Sequence, residues 1–200
     1  MSTAMDLDAI CNGSVKDLVQ ASLAGAELSG ASLDHANLSQ ATLAGATLSG
    51  ANLQQAVMRA NLRGADLAGA DLTGTDFRNA DLRGASLMDA KINQTSFAGA
   101  FMAGAVLTHL DLTDIDLRGA DLRGATLTGA ILQRADLSNT NLAGADLSQA
   151  NLEEANLSGA ILRGANLSEA NLFCAQIDRA MLQGAILDGT CIEGSSLEQF

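Results

Sequence analysis

Ala65-Asp66-Leu67-Ala68-Gly69 and, further along, Ala120-Asp121-Leu122-Arg123-Gly124 decide how the whole chain is read. In each, one large apolar residue stands in five, with a small residue two places before it. The beat begins at Leu18 or Leu23 and runs through Leu28, Leu33, Leu38, Leu43, Leu48, Leu53 and Met58. After a single step of four it continues unbroken from Leu62 to Leu197. A period of five matches neither the 3.6 residues of a helical turn nor the two of a simple strand. It suits a chain that turns a corner every five residues, with Leu67 and Ala65 inward and Asp66, Ala68 and Gly69 left to solvent.

A larger period lies above it. If twenty residues complete a circuit, one face is centred on Leu23, Leu43, Leu62, Leu82, Met102, Leu122, Leu142, Leu162 and Leu182, and the residue two places after each is Gly without exception. The other three faces carry Gly there only intermittently. This corner is expected to need a positive φ, which Gly reaches without strain. We refer to this side as the glycine face and to those that follow along the chain as the second, third and fourth faces.

Units such as Ala120–Gly124 and Ala150-Asn151-Leu152-Glu153-Glu154 resemble the A(D/N)LXX unit of the pentapeptide repeat family, over residues 18–197. The resemblance implies an all-β fold, a right-handed quadrilateral parallel β-helix with four pentapeptides to a coil. Residues 1–17 lack the beat and read as a short helical cap, with Ala4, Leu7, Ile10 and Cys11 on one side and Asn12-Gly13 as its stop. A cap of this kind resembles that of cyanobacterial members. Residues 18–197 then form about nine coils, a rod roughly 43 Å long at the spacing of strands in a sheet. Residues 198–200 are a tail with no capping helix. The chain has no Pro, so every backbone donor is kept for the coil-to-coil ladder.

Little in the sequence supports catalysis. The two histidines, His35 and His109, fall far apart along the rod on adjacent faces, which rules out a two-His metal site or a Ser-His-Asp arrangement. Most Asp residues stand just before the core Leu, where the repeat itself asks for Asp or Asn, and the glycines lack the Lys-Ser/Thr sequel of a phosphate loop. No catalytic residue, cofactor or metal ligand is therefore predicted. Cys11, Cys174 and Cys191 do not make a disulfide framework and are read as reduced. With Asp6 and Asp8 near the amino terminus and no apolar run of membrane-spanning length, a cytoplasmic protein without membrane contact is expected. An acidic chain without Trp or Tyr is also a poor binder of nucleic acid.

Charge carries more information. The net charge is −12, and it is unevenly shared. The glycine face sets Arg63, Arg83, Arg123 and Arg163 against Asp81 and Asp121, a balance of +2. The second face carries Glu27, Asp66, Asp89, Asp146, Glu169 and Asp188 with no Lys or Arg, a balance of −6. The third carries Asp34, Asp71, Asp111, Asp114, Glu153, Glu154 and Glu193 against Lys91 and Arg134, a balance of −5. Two adjacent acidic faces opposite a mildly basic one make a field that steers a partner. The expected function is a non-catalytic scaffold or regulatory adaptor for a protein partner. The alternative implied by the family resemblance is mimicry of DNA to inhibit or protect DNA gyrase or another type II topoisomerase.

Three irregularities carry expectations of their own. The step of four between Met58 and Leu62 predicts a tightened corner with the core register kept on both sides. Leu110 and Ile115 occupy the slot two before the core residue, where Ala, Thr or Ser is the rule, and predict a swollen coil or an expelled side chain, with Phe77 and Phe97 stacked nearby. At the carboxy end, outward Ile161, Phe173, Met181 and Ile186 gather near an open edge, which predicts either Phe200 folded over the core or a homodimer joined carboxy end to carboxy end.

Overall fold

In the computed structural model, which describes residues 6–199 and the backbone alone of Glu198 and Gln199, the chain is a repeat solenoid. Every corner but the one at the slip is a β-turn. At one of them the Ala125 N–H donates to the Leu122 C=O at 3.0 Å and Gly124 takes φ +60°, the pattern of a type II turn. Between corners the backbone is extended and pairs with the next coil: the Leu122 N–H donates to Asn141 C=O at 2.7 Å, and the Asn141 N–H returns to Ala120 C=O at 2.9 Å. The resulting bridges are parallel and link residues twenty apart, as Asp121 with Asn141. Five-residue corners and a twenty-residue repeat of the ladder give four sides per coil.

Leu and its preceding Ala fill the interior. Leu28, Leu48, Leu67, Leu87, Leu107, Leu127 and Leu147, stacked on the second face, are all fully buried, and Ala46, Ala65, Ala85 and Ala105 lie beside them. Each such Leu contributes about 1.5–3 kcal/mol relative to an exposed one. Where Thr replaces the Ala, its hydroxyl finds a backbone acceptor inside the wall: Thr75 Oγ1 donates to Leu53 C=O at 2.7 Å and Thr95 Oγ1 to Leu72 C=O at 2.6 Å.

The explanation offered for the glycine face is corrected by the backbone. Positive φ is not special to that side, because Gln40, His109, Arg134, Glu154 and Cys174 adopt φ of 55–62° at the same turn position on the other faces. Nor does crowding select Gly there: a Cβ on Gly25, Gly45, Gly64, Gly84, Gly104, Gly124, Gly144 or Gly164 would meet nothing within 4 Å. The unbroken Gly column has no steric explanation.

The slip is absorbed in one corner. The Ala60 N–H donates to Met58 C=O at 2.8 Å, an i to i+2 bond that makes a γ-turn where every neighbour has a β-turn. Met58 and Leu62 are both fully buried, and the ladder spacing shortens to nineteen for Thr42 with Asn61 before returning to twenty for Asn61 with Asp81. Both oversized residues stay inside, Leu110 and Ile115 each at 3% exposure. Phe77 and Phe97 stack one coil apart, with centroids 5.2 Å apart and planes 7° from parallel.

At the amino end, helix α1 (Leu7–Cys11) starts at Asp6, whose carboxylate accepts from the Ala9 N–H at 3.1 Å, and stops at Asn12 and Gly13. The predicted apolar side is corrected: Ile10 is buried but Leu7 is 40% exposed, and Ala4 lies outside the described residues. A helix of five residues presents too short a face to bury more than one large side chain. The ladder starts directly after it, with the Ser32 N–H donating to Cys11 C=O at 2.8 Å. At the other end a 3-10 turn, Ser196–Gln199, follows the last coil, where the sequence suggested only a tail. There Leu187 is 39% exposed and Leu182 and Leu197 are half-buried, around an open apolar cavity of about 590 Å³. Phe173, Met181 and Ile186 are exposed near it and Ile161 is half-buried. Phe200, the expected lid, lies outside the described residues. Among the described residues no helix is long and apolar enough to cross a membrane.

Candidate interaction surface

The outward carboxylates fall into two kinds, set by their place in the repeat. Those just before the core Leu are partly spent on the corner. Asp66, Asp71, Asp111 and Asp146 each accept the N–H of the residue two places on, at 3.0–3.1 Å, as Asn52, Asn151 and Asn166 do on other coils. Further donors reach several of them. Ser49 Oγ donates to Asp66 at 2.6 Å, Gln54 Nε2 to Asp71 at 2.8 Å, and Asn166 Nδ2 to Asp146 at 3.1 Å. The Ser49 hydroxyl and then the Ala68 N–H hold Asp66 below its ordinary pKa, and the Ser148 side chain does so first for Asp146. For Asp71 burial pushes upward, and the hydrogen bonds of Thr73 and Gln54 outweigh it.

The second kind stands on the turn itself. Asp89, Asp114, Glu154, Glu169 and Asp188 are exposed, and Glu153 is half-buried. Glu27 precedes a core Leu yet projects freely, being exposed. Asp89, Asp114, Glu154 and Glu169 take positive φ, so their side chains leave the rod at the corner. The sequence grouped these acidic positions by face alone. It did not separate these kinds, although the interchange of Asp with Asn before the core Leu is the visible trace of the corner hydrogen bond.

Cations divide the two acidic faces. On the third face Asp34 pairs with Lys16 at 3.0 Å, Asp71 with Lys91 at 3.8 Å and Asp114 with Arg134 at 2.8 Å, and the last contact lowers the Asp114 pKa. Among the described residues no salt bridge reaches Glu27, Asp66, Asp89, Asp146, Glu169 or Asp188 on the second face. On the glycine face Arg83 and Arg123 fold back onto Asp81 and Asp121 of their own repeats, each with Nε donating at 2.8 Å, which leaves Arg63 and Arg163 to carry that side's balance of +2. The same pairing joins Arg78 with Asp76 and Arg118 with Asp116 on the fourth face.

The other candidates stay apart. His35 and His109 are both exposed on different faces, and among the described residues no group of three His, Cys, Asp or Glu is placed to hold a metal ion. The three cysteines are free, with Cys174 and Cys191 exposed and Cys11 half-buried. The γ-turn at the slip leaves an open notch of about 350 Å³ between Arg59, Asn61, Asn79, Arg83 and the half-exposed Phe101.

A family model described as pentapeptide repeats matches the chain in eight copies, over residues 21–59, 58–94, 85–124, 120–159, 150–189 and 160–199. HetL of the cyanobacterium Nostoc sp. strain PCC 7120, a pentapeptide repeat protein involved in regulating heterocyst differentiation, is 35% identical over 90% of this chain and 86% of its own, with a TM-score of 0.48. Rfr23 of the cyanobacterium Cyanothece 51142 is also 35% identical, over 48% of this chain and 62% of its own, with a TM-score of 0.41. QnrB1, a plasmid-mediated fluoroquinolone resistance protein, is 21% identical over 76% of this chain and 85% of its own, with a TM-score of 0.47. No curated protein matches the sequence.

Proposed function

Since the chain belongs to the pentapeptide repeat family, we propose that it acts without catalysis, as a scaffold or regulatory adaptor that offers its second face to a basic surface of a protein partner. One observation carries this reading: six carboxylates follow one another along that face, with no Lys or Arg on it and no ion pair to any of them among the described residues. Such a stripe accelerates encounter with a basic partner, while the partly neutralised third face adds Asp111, Glu153 and Glu154 at its border. In this reading residues 18–197 are a right-handed quadrilateral β-helix capped by residues 1–17 and followed by the tail 198–200. It works in the cytoplasm as a monomer or a carboxy-end homodimer, with neither membrane nor nucleic acid as its target.

Capture from a host lysate tests it. Proteins retained by the wild type should be lost with a combined Asp89→Asn, Glu169→Gln and Asp188→Asn variant and kept with Arg63→Gln and Arg163→Gln. Loss with both variants, or with neither, would remove the second face as the docking surface. The same acidic stripe favours the alternative of DNA mimicry towards DNA gyrase or a related type II topoisomerase. Supercoiling by gyrase with and without the protein separates the two, since a scaffold for another partner leaves the enzyme's rate unchanged.

A further inference from the structure

The ladder that holds coil to coil is complete along most of the rod, and before its carboxy end, where Ser196 joins no rung, it fails in one place. Among the described residues, five successive rungs are missing where the coil of Ile92 meets the coil of Leu112: those donated by the N–H groups of Asp89, Ile92, Gln94, Asp111 and Asp116. The bridge between Lys91 and Asp111 is missing too, although Asp71 bridges Lys91 on one side and Asp111 bridges Ile131 on the other. The gap is sharply bounded. The rung before it, Leu87 N–H to Val106 C=O, is intact at 3.0 Å, and the one after it, Phe97 N–H to Asp116 C=O, at 2.9 Å. Across the same two coils on the opposite, glycine face, the Leu82 N–H donates to Phe101 C=O at 2.7 Å and the Gly84 N–H to Ala103 C=O at 3.0 Å.

The cause lies in the core. Leu110 and Ile115 are the two residues that bracket the third face of the lower coil from inside, and both are buried where Ala is the rule. Branched side chains in a slot sized for a methyl group cannot be accommodated by compression, because interiors are already close-packed. The wall yields at its weakest direction, along the axis, and the coils part on the third face. On the fourth face the Phe97 N–H to Asp116 C=O rung and the bridge between Ser96 and Asp116 keep that wall closed.

We propose that this seam is a hinge, at which two stiff stretches of solenoid flex about the glycine face while the third face opens and closes. This goes beyond the interaction reading and does not depend on it. Its consequence for any partner is that the spacing between carboxylates above the seam, Asp71 and Asp89, and those below it, Asp111 and Asp114, is adjustable, whereas spacings elsewhere on the rod are fixed by unbroken rungs.

Amide hydrogen exchange on the intact protein tests the seam directly. The N–H groups of Ile92, Gln94 and Asp111 should exchange at least tenfold faster than those of Leu72, Gly74 and Ile131, their register equivalents one coil away. In a Leu110→Ala, Ile115→Ala variant they should slow to the rate of those equivalents; Leu110→Val, Ile115→Val serves as the milder version should the first fail to fold. Flexing is read from paired spin labels, after Cys11, Cys174 and Cys191 are replaced by Ser. A pair at Gln54→Cys and Gln133→Cys crosses the seam on the third face. A pair at Ala44→Cys and Arg123→Cys crosses it on the glycine face, and each spans four coil spacings, about 19 Å. The third-face pair should give a distance distribution at least twice as wide. Equal protection of the seam amides, or equal widths for the two pairs, overturns the hinge; fast exchange that the core variants leave unchanged overturns its cause.

Discussion

At the scale of single residues the corners are where strain is stored. A non-Gly residue in the left-handed region costs about 1–2 kcal/mol, yet many corners here accept it. The price is offset by the rungs made on either side of each corner. Two glycines separate the conformational from the steric contribution. Gly124 has open space around the site of a Cβ, whereas a Cβ on Gly129 would collide with the His109 ring, because the imidazole lies over the corner of the coil below. Gly124→Ala should cost about 1 kcal/mol, from φ alone. Gly129→Ala should cost more, and the excess should vanish in a His109→Ala background. A double-mutant cycle by denaturant unfolding checks this, and zero coupling would mean that the ring swings away freely.

Among the elements, the γ-turn at the slip and the stacked phenylalanines are the two local departures that leave the core in register. A single Gly inserted between Arg59 and Ala60 restores a five-residue corner, with no apolar side chain moved. The variant should fold with a melting temperature within a few degrees of the wild type and lose the notch beside Phe101, a change visible in a crystal structure. Phe97→Ala removes half of the stacked pair from a fully buried site and should cost about 3–5 kcal/mol. Most of this architecture was legible in advance, because Leu at every fifth position can face inward only if the chain turns at every fifth position. The slip was legible for the same reason: deleting one outward residue leaves the inward phase untouched. The seam was not. Leu110 and Ile115 announced excess volume, but whether a wall bulges, a side chain leaves or the ladder parts depends on the relative stiffness of rungs and core, which no residue count reveals. The two classes of carboxylate were hidden likewise, since Asp66 and Asp89 differ in their distance from a turn N–H and not in chemical type.

For the molecule as a whole, acid is the sensitive variable. The Arg78 side chain first, with Arg59 and the Arg78 N–H, holds Asp76 far below its ordinary value of 3.8, and Asp81, Asp116 and Asp121 are lowered by their own arginines in the same way. Carboxylates depressed on folding contribute stability that is fully present above the ordinary value and lost as pH falls through the folded one. Thermal unfolding should therefore shift several degrees lower between about pH 5 and pH 2. Asp76→Asn should be less stable at neutral pH and show a shallower decline, and an unchanged pH profile would show that these pairs are too screened to matter. The corner hydrogen bond has a further consequence. Asp and Asn both accept the same N–H, so exchanging one for the other adds or removes a negative charge without touching the turn. Selection can redraw the electrostatic map of such a molecule coil by coil at constant shape. A library permuting Asp and Asn at residues 52, 66, 71, 146, 151 and 166 would sort partner preference among proteins with one and the same backbone.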